Sequence, residues 1–297
     1  MSFGDFFLKR FFRIIPAYLV TVGLYFEVPS FREKEALPSL WKFLSFTQNF
    51  GLDLKHYGTF SHAWSLCVEE HFYLLLPVTL VIFQSVGRFN RAGWLLLVLF
   101  LVGFGTRLYS YNVMYAPYNG KENSWLYWYK YVYYPTYNRL DGLVIGVAIA
   151  AIYTFYPNLW HRISKQGNIL LGAGISLLIV AYWLCEDQQT MIASVFGFPL
   201  LSIGYGFIVA GAVSPTSFLY GWKSTISTSI ATLSFAIYLT HKGIIILTHK
   251  LVAGTDWTSD WILLVCVMTS LIGALLLNLL IEKPFLRIRN GLLHTKK

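Results

Sequence analysis

Charge is what this sequence has least of: Asp, Glu, Lys and Arg together make up 12% of its 297 residues, against about 25% in soluble domains. A water-soluble globule is excluded on that ground alone. Cysteine is nearly as scarce. Cys67, Cys185 and Cys266 are odd in number and far apart, which excludes a disulfide framework and gives no metal-ligand spacing. Low-complexity tracts, internal repeats, a glycine-rich phosphate loop and a composition break that would mark a linker are also missing. The chain therefore reads as one membrane-embedded domain, 1–297, with no metal and no resident cofactor. Small residues suited to signal cleavage do not follow the first apolar run, so a removable leader is not expected.

What is abundant is apolar and aromatic. Hydrophobic residues reach 56%, with 23 Phe, 20 Tyr and 10 Trp, and a disordered chain is excluded by the same numbers. A spanning helix needs about 20 mostly apolar residues. Clear windows are Trp94 to Tyr111, Leu140 to Tyr156, Ile169 to Cys185, Met191 to Val213, Ile226 to Leu247 and Trp261 to Ile281. Two weaker ones are Ile14 to Val28, with Pro16 tolerated in a first turn, and Trp64 to Phe83, interrupted by Glu69, Glu70 and His71. The expected fold is all-α: a polytopic bundle of about eight transmembrane helices.

Loop charges set the orientation, because cytoplasmic loops hold the excess of Lys and Arg. Alternate loops do hold it: Lys9, Arg10 and Arg13; Arg88 and Arg91; Arg162 and Lys165; Lys223; then Lys283, Arg287, Arg289, Lys296 and Lys297. The other loops mix Arg32, Lys34, Lys55, Lys121, Lys130 and Lys250 with Glu33, Glu35, Asp53, Glu122, Glu186, Asp187, Asp256 and Asp260. Both termini are therefore expected in the cytoplasm. The net charge of +9 is a topology signal in such a chain and implies no nucleic-acid partner.

Ionisable groups inside spans are costly and tend to mark a pathway or a site. Counting along the helices, Glu69 and Glu70 lie roughly 8 Å inside their span, Arg107 near the end of the next, and Arg139 with Asp141 at the start of the following one. His241, about 22 Å from the cytoplasmic end of its helix, can join this outer layer, with Lys242 on another face. An ion pair of Glu69 or Glu70 with Arg107 or Arg139 is the plain structural reading, as is a helix-start pair for Arg139 and Asp141. Arg10 and Arg13, one turn apart at the opposite surface, suit a headgroup anchor and a phosphate clamp equally. His56, His62, His161, His249 and His294 form no ligand pattern and are assigned no role. The tyrosine-rich stretch from Tyr109 to Tyr137 reads first as an interfacial belt, with a sugar-stacking surface as the alternative.

Four segments, in order, resemble the membrane-bound acyltransferase family three. Lys9-Arg10-Phe11-Phe12-Arg13-Ile14-Ile15-Pro16 looks like its cytoplasmic arginine pair ahead of a proline-started helix. Trp64-Ser65-Leu66-Cys67-Val68-Glu69-Glu70-His71-Phe72-Tyr73 is similar to its Trp-Ser-Leu-Ser-Val-Glu-Glu-Gln-Phe-Tyr signature, departing at Cys67 and His71. Arg139-Leu140-Asp141-Gly142-Leu143 resembles its Arg-Phe-Asp-Gly-Leu segment, and Ser234 to His241 with Ile281-Glu282-Lys283-Pro284-Phe285 its Tyr-Leu-x-His helix and closing motif. The resemblance implies an O-acyltransferase of the plasma or inner cell membrane. Its acyl donor would be acyl-CoA (acetyl-CoA), a substrate held by Arg10 and Arg13. Its acceptor would be an extracytoplasmic glycan or lipid-linked sugar, and Glu69, His241, Arg139 and Asp141 would be its catalytic candidates. Family members typically have ten helices with an acting histidine in the first, so the expectation is a chain lacking two helices, with its own activity in question. The alternatives are a multi-pass transporter and a non-catalytic membrane partner.

Overall fold

A computed structural model describes residues 3–33, 36–85 and 92–294. Lys34, Glu35, Arg88, Arg91, Lys296 and Lys297, which contribute to the charge pattern above, lie outside the described residues. The described chain is helical, with no strand: α1 (Phe3–Glu27), α2 (Leu40–Leu44), α3 (Trp64–Ser85), α4 (Ala92–Tyr109), α5 (Ser124–Trp128), α6 (Leu140–Phe155), α7 (Pro157–Ser164), α8 (Gly167–Leu184), α9 (Phe198–Ala212), α10 (Thr225–Val252), α11 (Ser259–Leu277) and α12 (Lys283–His294). Four π-helical turns, Ser110–Tyr115, Tyr129–Tyr133, Ile192–Gly197 and Asn278–Glu282, interrupt or extend these helices among the described residues.

Five described stretches are long and apolar enough to cross a bilayer: Gly93–Tyr118, Gly167–Leu184, Ile192–Ala212, Thr225–Val252 and Ser259–Leu293. A sixth arises if α6 and α7, bent by 110° at their junction, are taken as one span. This chain is a membrane protein. The six clear sequence windows coincide with these stretches. The two weaker windows are continuous helices of 25 and 22 residues, roughly 33–38 Å long at 1.5 Å per residue, but they fall outside the apolar set. Asp5, Lys9, Arg10 and Arg13 dilute the first, and Glu69, Glu70 and His71 the second.

Contacts divide the chain into two compact units. One comprises Met1–Ser45, Lys55–Ala63 and Ser224–Lys297. Its core is aromatic: Tyr25 stacks on Phe60 with centroids 4.4 Å apart, meets Phe31 edge-on at 4.8 Å, and Phe43 lies 5.9 Å from Phe60. The Tyr18 hydroxyl donates to the Phe43 carbonyl at 3.1 Å. Arg32 turns back to cap α1, its Nε donating to the Tyr25 carbonyl at 2.7 Å and its Nη2 to that of Phe26. A basic side chain there satisfies carbonyls that the helix end leaves orphaned. On α10, Ser224 accepts from the Ser227 amide at 3.2 Å as N-cap.

Gly243 of α10 lets the Phe31 ring lie directly against the helix backbone, and any β-carbon there would overlap that ring. Phe31 is held by its own 3-10 turn and sits two residues before Glu33, so it cannot yield freely. Gly243→Ala should therefore lower stability by about 1–3 kcal/mol, the usual range for overpacking, read as a drop in melting temperature of the purified protein. Gly273→Ala on α11 meets only the flexible end of Ile244, so it should cost less.

The second unit comprises Phe46–Leu54 and Trp64–Lys223. α8 and α9 form a close hairpin through small residues. A β-carbon on Gly174 would come within 2.8 Å of the Gly204 carbonyl, and one on Gly211 within 2.9 Å of the Gly167 carbonyl. Small residues let helix backbones approach where lipid supplies no hydrophobic drive. The tyrosine-rich stretch differs from both of its sequence readings, because much of it is interior. Tyr111, Tyr115, Trp128 and Val132 bury together with Val195, and Trp128 Nε1 donates to Ser194 Oγ at 2.8 Å. Gln189 Oε1 accepts from Tyr115 at 3.0 Å and from Ser124 at 2.7 Å. Outside this core, Tyr118 and Tyr127 stack on each other at 3.8 Å, so those faces are already occupied.

Candidate functional site

Each unit assembles its own polar cluster. In the first, the turn after α1 delivers Glu33 and the 3-10 turn Ser61–Ala63 delivers His62. Glu33 Oε2 accepts from the Phe60 amide at 2.7 Å. Phe60 has a positive φ of 56°, a conformation costing roughly 1–2 kcal/mol for a non-glycine residue, and such strain concentrates at functional positions. His62 Nδ1 is 3.7 Å from Glu33 Oε1, and Lys242 Nζ is 3.8 Å from the same oxygen. The His62 side chain is 9% exposed, and neither ring nitrogen has a hydrogen-bond partner.

His241 of α10 places its ring 5.0 Å from that of His62. Its Nδ1 lies 3.0 Å from the Ile237 carbonyl and 2.9 Å from that of Tyr238. Carbonyls only accept, so Nδ1 carries the proton and Nε2 of the neutral ring holds the free lone pair. Tyr238 also donates its hydroxyl to the His62 carbonyl, which fixes the two histidine-bearing segments together.

The charges oppose each other in a way that sets protonation. Burial alone would raise the Glu33 pKa, but His62, the Phe60 amide and Lys242 outweigh it and hold the carboxyl below its usual value. Burial pushes His62 down, with Lys242 and His241 adding to that and Glu33 opposing it. Glu33 is thus a carboxylate and His62 a neutral imidazole near pH 7. This pair was not legible as a site in the sequence, although His62 stands only two residues before Trp64.

In the second unit, Glu69, Arg139 and Asp141 line a cavity of about 350 Å³ with Trp64, Phe198 and Ser202, and His241, expected in the same layer, is not among its lining residues. The Arg139 guanidinium packs over the rings of Phe198 at 4.3 Å, Tyr133 at 4.6 Å and Trp64 at 4.9 Å. Arg107, not Arg139, is the hydrogen-bonded partner of Asp141: Nη2 donates to Oδ1 at 2.8 Å. The helix-start pair is therefore replaced by a tie between α4 and α6. Asp141 is 5% exposed, and its Oδ2 has no partner. His71 Nδ1 lies 2.9 Å from Thr136 Oγ1, which gives the residue departing from the signature motif a structural hydrogen bond.

Arg10 and Arg13 lie on α1 of the first unit. The Arg10 guanidinium is 5.7 Å from the Phe6 ring centroid, and the Arg13 charge acts on Glu282. Among the described residues no group of three His, Cys, Asp or Glu is arranged to hold a metal ion.

Residues 1–279 match the family model described as an acyltransferase domain. The O-acetyltransferase OatA of Staphylococcus aureus strain NCTC 8325 and that of strain COL are each 26% identical over 265 residues, covering 83% of this chain and 41% of each relative. The chain thus spans less than half the length of these relatives. No solved structure gives a significant match. With a family model covering nearly its whole length, this membrane protein belongs to acyltransferase family 3.

Proposed function

We propose that this protein moves an acetyl or other short acyl group from cytoplasmic acyl-CoA to a hydroxyl of an extracytoplasmic glycan or lipid-linked sugar, in the cell membrane. The observation that carries the reading is the setting of His241: two backbone carbonyls lie within hydrogen-bond distance of Nδ1, which assigns the proton to that nitrogen and leaves Nε2 to act as base. In the proposed step, Nε2 takes the proton from the acceptor hydroxyl as its oxygen bonds to the thioester carbonyl carbon. The carbon–sulfur bond then breaks, and the imidazolium returns the proton to the departing CoA thiolate. Glu33 supplies the negative charge that balances the transient imidazolium, and a neutral His62 avoids placing a second cation beside it.

The same reading takes α1 and α3 as spans, for eight in all with both termini in the cytoplasm. Arg10 and Arg13 then face the compartment that contains acyl-CoA, and guanidinium groups suit its phosphates. Arg10→Gln with Arg13→Gln should weaken CoA-thioester binding at least tenfold, measured by titrating acetyl-CoA into protein held in nanodiscs. Unchanged affinity at normal folding would remove the donor assignment.

A further inference from the structure

In the second unit, α4 and α6 touch near Gly103 and frame a groove beyond it. A β-carbon added to Gly103 would lie 3.5 Å from that of Leu140, and Thr106 Oγ1 donates to the Tyr137 carbonyl at 2.7 Å. Toward Gly93 and Tyr156 the two helices enclose about 330 Å³. Gly93 and Phe100 line this groove from α4, Ala148, Ala151 and Ile152 from α6, and Tyr156 carries the one polar side chain of the lining. Small residues open it: nothing lies within 4 Å of a β-carbon added to Gly93. Pro157 then ends α6, because proline disfavours helical geometry in the residue before it, and Tyr156 takes φ −127° and ψ 61°. α7 leaves at 110° to α6, the direction of a helix that runs along a membrane surface rather than across it. The Trp160 ring meets Tyr153 edge-on at 5.3 Å, which holds α7 to α6 at the bend.

The groove lies between stretches apolar enough for the hydrocarbon layer, and its walls offer a ligand dispersion contacts and almost no hydrogen bond. One turn of an α-helix, 10 Å across and 5.4 Å high, fills about 420 Å³, so the groove is too small for a partner helix. A hydrocarbon chain fits it. The residues that follow decide whose chain. Arg162 and Lys165 are exposed and follow Tyr156 by about 9 and 14 Å of helix. Neither forms an ion pair among the described residues. No Asp or Glu occurs from Gly142 to Cys185, so the positive charge of the elbow has no acidic neighbour in sequence. Tyr156 and Trp160 are of the residue types that sit at headgroup level, where basic side chains attract anionic lipid. We infer that the elbow of α4, α6 and α7 binds an anionic phospholipid, with one acyl chain in the groove and the phosphate on Arg162 and Lys165.

The test is native mass spectrometry of the whole protein, delipidated in detergent and titrated with phosphatidylglycerol or with phosphatidylcholine of the same chains. The wild type should retain one phosphatidylglycerol at least tenfold more tightly than phosphatidylcholine. Glycerol 3-phosphate, which has the charge without the chains, should not displace it. Arg162→Gln with Lys165→Gln, both at exposed positions, should abolish the preference. Ala148→Phe, which fills the groove from α6, should weaken retention of both lipids at least tenfold at an unchanged melting temperature. Gly93→Leu should do the same from α4, and it takes the place of Ala148→Phe if that variant melts early. The inference is overturned by a wild type without the preference, by a preference that survives loss of both cations, or by full retention in a folded, groove-filled variant. Displacement by glycerol 3-phosphate would leave only a free-anion site and overturn it too. A dimer lost in Ala148→Phe with lipid retention unchanged would instead make the groove a contact between copies of this chain. The readout needs no acyl transfer, so the lipid site stands or falls separately from the reaction proposed above.

Discussion

His241→Ala is expected to reduce acyl transfer in membranes by 10²–10⁴-fold, the usual contribution of a positioned general base, with protein abundance near normal. The abundance expectation follows from geometry: the His241 ring is only partly buried, and the two carbonyls it bonds are those of the preceding helical turn. His241→Gln preserves a donor to those carbonyls but has no basic nitrogen, so it should be as inactive as the alanine variant. Full activity in either would remove the assigned base.

The pH profile gives this prediction a sign that a structural role would not reproduce. His62 is held below the ordinary histidine value of 6.5, by burial first and by Lys242 and His241 next, against the pull of Glu33. Protonating His62 puts a cation 5.0 Å from the His241 ring, so the acid limb that His62 sets should lie below pH 6.5. Removing the opposing carboxylate with Glu33→Gln should move this acid limb to still lower pH while reducing the maximal rate. Lys242→Met removes a repelling charge and should move the limb upward. A limb that stays put in both variants would disconnect His62 from the reaction.

The unequal legibility of these features in the sequence has physical causes. Six spans announce themselves because a bilayer demands uninterrupted apolar length, and that demand is written locally in each window. α1 and α3 are helical over their whole length but carry charges that the apolarity of their neighbours does not mask. Glu69, Arg139 and Asp141 stand out because ionisable groups near spans are conspicuous, and they do meet in one cavity. Glu33 and His62 are loop residues in sequence, where charge is ordinary. Only the capping turn of Arg32 and the left-handed Phe60 bring them beside a helix some 180 residues later in the chain. The tyrosine stretch was legible as aromatic but not as interior, because Gln189 and Ser194, which satisfy its hydroxyl and indole donors, come from a distant connection. The pairing of Asp141 with Arg107 rather than Arg139 was hidden for the same reason.

Arg107→Ala should have the largest effect on folding. The side chain is fully buried and makes four hydrogen bonds to three acceptors: the Asn138 carbonyl from Nε at 3.0 Å and from Nη2 at 2.5 Å, the Val195 carbonyl at 3.2 Å and Asp141 at 2.8 Å. It thereby joins α4, the turn before α6, α6 itself and the π-helical turn before α9. Its loss strands a buried carboxylate, a change worth about 3–5 kcal/mol in a fold whose total stability is of order 5–15 kcal/mol. Steady-state abundance in membranes should collapse, and the residual protein should melt well below the wild type. Arg107→Lys keeps the charge but not the planar fork that reaches separate acceptors, so it should recover only part of the stability. The decisive variant is the double change Arg107→Met with Asp141→Leu. Removing both charges is far less costly than removing one, so abundance and melting temperature should return most of the way. A double variant that stays as unstable as Arg107→Ala would mean that the orphaned Asn138 and Val195 carbonyls, not the carboxylate, dominate the cost.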